Sequence, residues 1–68
     1  MKLRIEIEQE SDGRWIAEVP ELPGTIAYGE TRERAIAGAE ALAFRVLAER
    51  IEHGEAIPQI PMLFVVAA

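Results

Sequence analysis

Asp12 to Thr31 reads DGRWIAEVPELPGTIAYGET, and this stretch decides the fold. Asp12-Gly13 supplies the positive φ that a tight hairpin turn needs. Residues 14–19, RWIAEV, read as the return strand of that hairpin. Trp15, Ala17 and Val19 fall on one face, and Ile16 and Glu18 on the other. Trp15 is expected to pack in the core. Pro20 and Pro23 end the strand, because proline cannot donate to a ladder. Gly24 allows the sharp exit from this corner. Residues 25–29, TIAYG, make a short third strand with Ile26 and Tyr28 on one face, and Gly29 breaks it. Thr31 is placed to cap a helix, with Glu33 in the first turn where the helix dipole favours an anion.

Before this stretch, residues 2–9 read KLRIEIEQ. Leu3, Ile5 and Ile7 alternate with Arg4, Glu6 and Glu8, which predicts a half-buried strand. After it, a helix is predicted over 32–53. Gly54 suits the left-handed position past its end, and Arg50 and His53 suit its last turns. Pro58 and Pro61 prevent continuation. Residues 62–67, MLFVVA, read as a fourth strand, apolar on both faces.

The helix carries two apolar stripes. Ala35, Ala39, Leu42 and Val46, widened by Ile36, Ala43 and Leu47, form a face for packing on a sheet. Ala37, Ala41, Phe44, Ala48 and Ile51 form a second, with heptad-like spacing, on nearly the opposite side. Hairpins make the first three strands antiparallel. A right-handed crossover through the helix then places the fourth beside the first. The expected fold is α+β, β-β-β-α-β, with a four-stranded sheet in the order 3-2-1-4 and one long helix on one face.

A chain of 68 residues is one domain at most, 1–68, and buries too little surface to be robust alone. With no cysteine and one histidine, His53, neither disulfides nor a histidine- or thiolate-based metal site can reinforce it. A homo-oligomer or a partner protein is the expected remedy. Phe44 and Ile51 on the helix, with Met62, Phe64 and Val66 on the fourth strand, are the expected interface. The net charge of −5, with basic residues scattered along the chain, disfavours direct nucleic-acid binding. An acidic surface suits a basic protein partner instead. The N-terminus lacks the apolar core of a signal peptide, and the apolar run near the C-terminus is too short to span a bilayer. A cytoplasmic protein without membrane association is expected.

Little in the sequence supports catalysis. Ser11, the only serine, sits in a hairpin turn, and His53 sits at a helix end; no acid is paired with either. Glu6, Glu8 and Glu18 share a strand face and could in principle hold a divalent cation, but charge on the wet face of a sheet is the ordinary pattern. Gly13, Gly24 and Gly29 match turns rather than a phosphate-binding loop. No cofactor is expected.

The run DGRWIAEVPELPGTIAYGETRERAI, with the later HGEAIP, resembles the HicB antitoxin family. The resemblance rests on Trp15, on Ala17-Glu18-Val19-Pro20, on Leu22-Pro23-Gly24, and on Gly29 and Thr31, and it spans roughly residues 1–58. It implies a partial ribonuclease-H-like fold. It also implies an antitoxin that occludes the active site of a HicA-type toxin, a small basic ribonuclease that cleaves mRNA. A complete ribonuclease-H site needs an acid on the fourth strand, which has none, so this chain is not expected to be an enzyme. Many HicB proteins carry a C-terminal DNA-binding domain. The sequence ends at Ala68 without one, and operator binding is not expected. Two further readings follow from the residues: a stand-alone oligomeric module without a toxin, and a vestigial metal-dependent nuclease.

Overall fold

The computed structural model describes residues 3–55 and Ala67. Strands β1 (Glu6–Gln9), β2 (Trp15–Glu18) and β3 (Ile26–Gly29) precede helix α1 (Arg32–Glu52). The strands form one antiparallel sheet in the order β1-β2-β3. Of the expected fourth strand only Ala67 is described, and it is exposed and belongs to no strand. The rest of that strand lies outside the described residues.

The hairpin between β1 and β2 takes its positive φ at Gly13, as expected, and closes through a three-residue loop rather than a two-residue turn. Glu10 N–H donates to the Arg14 carbonyl at 2.7 Å, and Gly13 N–H to the Glu10 carbonyl at 3.0 Å. Gly13 has φ +94°, and no non-glycine residue has positive φ. A two-residue turn would need positive φ at Asp12 as well; a three-residue loop needs it only at the glycine. Asp12 is used differently. Its carboxylate accepts the Arg14 backbone N–H at 3.0 Å and the Arg14 guanidinium at 2.8 Å.

β1 starts later than the alternation of residues 2–9 predicts. Glu6 pairs with Glu18, so the residue opposite Arg4 in the same register is Pro20. Proline offers no N–H, and the ladder stops. Arg4 N–H turns instead to the Glu21 carboxylate at 3.4 Å. Leu3 and Ile5 still face the core.

The proline corner is two linked turns. Leu22 N–H donates to the Val19 carbonyl, and Thr25 N–H to the Leu22 carbonyl, each at 3.0 Å. The second has proline then glycine at its centre, with Gly24 at φ +86°, which is the type II signature. The corner drives Leu22 inward to 2 % exposure. Thr25 is fully buried, and its hydroxyl finds no partner among the described residues. Leaving such a group unsatisfied costs about 1–3 kcal/mol. Thr25→Val, nearly the same shape, is expected to raise the urea midpoint, with a gain of about 1 kcal/mol.

α1 is closed at both ends as its sequence predicts. Thr31 Oγ1 accepts the Arg34 N–H at 3.1 Å. At the other end Glu55 N–H donates to Arg50 and Gly54 N–H to Ile51, with Gly54 at φ +76°. That is the Schellman arrangement.

The helix crosses mainly β3 and β2, with less contact to β1. Its buried line is Ala35, Ala39, Ala43 and Leu47, which meets Ala17, Val19 and Leu22. The sequence reading put Leu42 and Val46 on that line, but they are only half-buried. An i, i+4 ridge winds slowly round the helix and follows the twisted sheet, and alanines on it allow close approach. Gly38 marks that closeness: a Cβ there would lie 3.1 Å from Ala27 Cβ.

Candidate functional site

Among the described residues, the sheet has one face under the helix and one face open. Ile7, Ala17 and Ala27 are aligned across the sheet on the covered face. The alternation of the strands puts Glu6, Glu8, Arg14, Ile16, Glu18, Ile26 and Tyr28 on the open face.

The register fixes which of these are neighbours. Glu6 stands directly opposite Glu18, and Glu18 opposite Ile26. One row further on, Glu8, Ile16 and Tyr28 run across the three strands. Ile16 is half-buried among them, while Ile26 is 42 % and Tyr28 54 % exposed. Glu6, Glu8, Ile16 and Glu18 line a shallow depression of about 130 Å³. The Arg14 guanidinium lies 5.2 Å from the Tyr28 ring centroid, a cation–π distance. The open face is thus apolar along β3 and acidic along β1.

Charge at the rim is partly settled. Backbone and side-chain N–H groups of Arg14 lower the Asp12 pKa below its ordinary value. The Glu21 carboxyl is lowered too, first by its own backbone N–H and then by Arg4, with slight burial opposing. Stability from a lowered carboxyl pKa is present above the ordinary carboxylate range and is lost as pH falls through the folded value. Both groups lie at the surface, so the effect is screened.

The expected site residues separate into two groups. Phe44 is 68 % and Ile51 49 % exposed, so the second helix stripe lies bare among the described residues. Met62, Phe64 and Val66 lie outside the described residues. Phe44 also borders a groove of about 200 Å³ between α1 and the start of β1, lined by Leu3, Ile5, Val19, Ala43 and Leu47, with Glu40 at the side. Ile26 and Tyr28 were not expected at a surface site. The signal was present in β3, whose inward positions are Ala27 and Gly29. With only small residues inward, the bulky pair must face out.

His53 caps α1, its Nδ1 2.7 Å from the Glu49 carbonyl, and Ser11 lies exposed in the hairpin loop. Among the described residues no group of three or more His, Asp or Glu is arranged to hold a metal ion. No helix of the described residues is long and apolar enough to cross a membrane. No family model, curated protein or solved structure matches the chain. The described residues define a small α+β module with an acidic and aromatic sheet face and a separate apolar helix face.

Proposed function

We propose that this chain is a HicB-like antitoxin that binds a basic HicA-type toxin through its open sheet face and blocks mRNA cleavage by occlusion. The reading rests on the resemblance carried by the Val19-to-Gly24 corner, and on one observation about the face itself. Glu6 and Glu18 stand opposite each other, and like charges so placed repel. A partner's lysine or arginine seated between them turns that repulsion into attraction. Ile16, Ile26 and Tyr28 beside them supply apolar area that the partner can desolvate. The net charge of −5 adds long-range attraction to a cationic protein. The role needs neither catalysis nor a cofactor, and it belongs in the cytoplasm, where mRNA is the toxin's target.

The same reading completes the sheet. Residues 62–66 pair in parallel with β1, in the order 3-2-1-4 of a partial ribonuclease-H-like fold. Its support is the edge of β1, unpaired among the described residues, beside the groove at Leu3 and Ile5. Hydrogen-exchange protection of the amides of residues 62–66 is the expected result.

Co-expression with a basic HicA-type toxin tests the function. The complex is expected to form and to restore growth. The Glu6→Lys, Glu18→Lys double variant is expected to keep its circular dichroism spectrum and to weaken binding by about tenfold or more. Absence of a complex overturns the antitoxin reading. A complex indifferent to the double reversal moves the interface off this face.

A further inference from the structure

We propose that the back of α1 is a self-association surface on which two copies of this chain pair with their helices parallel and in register. The chain is expected to oligomerise, and this helix face specifies how. Ala37, Ala41, Phe44, Ala48 and Ile51 are all exposed and recur at alternating spacings of four and three. They run down the side of α1 away from the buried Ala35 and Ala39, and Phe44 and the neighbouring Glu40 also edge the groove beside Leu3 and Ile5. Phe44 and Ile51 are two of the four large apolar side chains exposed among the described residues. Such spacing is the seam of a two-helix coiled coil, with Ala41 and Ala48 at one core position and Ala37, Phe44 and Ile51 at the other.

Charge names the occupant and its direction. Glu40 flanks the seam on one side and Arg45 on the other, and both are exposed. In a parallel pair the flank before one core turn meets the opposite flank five residues later in the partner. Glu40 of each copy then faces Arg45 of the other, twice by symmetry. An antiparallel pair centred on this seam instead brings the two Arg45 side chains near each other and leaves Glu40 without its cation. The surface is therefore complementary to itself in one orientation. No ion pair involving Glu40 or Arg45 is formed within the described residues.

The size of the seam sets the strength. A standard stable interface buries roughly 800 Å² on each partner. Two bulky side chains and three alanines bury less, so a weak, concentration-dependent dimer is expected. Stacking the helices back to back leaves both open sheet faces outward. The dimer is thus independent of the toxin reading, and either can fail alone.

Sedimentation velocity of the full chain from about 10 µM to 1 mM brackets affinities in the range expected of a weak dimer. The expected result is a monomer–dimer shift within that range. Glu40→Arg alone and Arg45→Glu alone are each expected to weaken the dimer about tenfold, and the double variant to restore it. Because the chain has no cysteine, Ala48→Cys is a clean probe. It is expected to form an interchain disulfide rapidly on oxidation, while Ser11→Cys in the hairpin loop is not. A monomer at every concentration overturns the proposal; it is the result if the chain's own residues 56–66 or a different protein cover the seam. Failure of the double charge reversal to restore the dimer, or equal cross-linking at positions 11 and 48, overturns the parallel register.

Discussion

Gly29→Val is expected to destabilise the protein by about 3 kcal/mol or more. Gly29 ends β3 opposite Trp15, and the first turn of α1 folds directly over it. A Cβ at this position would lie 2.5 Å from the Ala35 backbone nitrogen and 2.9 Å from the Arg34 carbonyl carbon. These are backbone atoms of a capped helix end, and no rotamer change moves them aside. Overpacking a yielding core costs about 1–3 kcal/mol, and an unyielding contact lies at or beyond the top of that range. Stability at ~0.1 kcal/mol per residue gives this chain only about 7 kcal/mol in all. A fall in melting temperature of more than ~15 °C is the expected reading. Gly13→Ala is the matched control. Gly13 has positive φ but nothing within 4 Å of its missing Cβ, so only the left-handed backbone cost of ~1–2 kcal/mol applies. Equal effects at the two positions would contradict the close-approach account of Gly29.

Leu22→Ala is expected to destabilise by about 2–4 kcal/mol, read as a lower urea midpoint with an unchanged slope. Leu22 is the innermost residue of the proline corner, and it closes the core between Val19 and the helix line. The corner is stiff: Pro20, Pro23 and the two turn hydrogen bonds hold its backbone. A stiff corner cannot collapse into the space that truncation opens, which places the cost toward the upper part of that range.

The local devices of this fold were legible because each is encoded by adjacent residues. Pro23-Gly24 dictates a type II turn through the φ that each residue permits. Thr31 with its acidic first turn dictates a helix start, and Gly54 dictates its end. Period-two alternation correctly separated Trp15, Ala17 and Val19 from Ile16 and Glu18. The exact hairpin was less legible, since Asp-Gly serves a two-residue and a three-residue loop equally. The choice between them depends on the strand register, which no single residue states.

The candidate surfaces divide along the same line. The bare helix stripe with Phe44 and Ile51 was visible as a spacing before any coordinates, and the structure finds both side chains exposed. The sheet face was visible only as a set of acids. That Glu6 opposes Glu18, and that Ile26 and Tyr28 complete the face, required the register of three strands and the side on which the helix lies.

By itself, then, the sequence determined the order of the three described strands and the helix, the proline corner, the helix caps and the two faces of β2, because these depend on contacts within a few residues. Tertiary structure alone decided three things. β1 loses its ladder where Pro20 comes opposite Arg4. Three alanines and Leu47, rather than Leu42 and Val46, carry the helix–sheet contact. Gly29 turns out to be needed for space rather than for φ. Each is a meeting of residues far apart in the chain, set by how closely two backbones approach, and distance between backbones is not written in any local pattern.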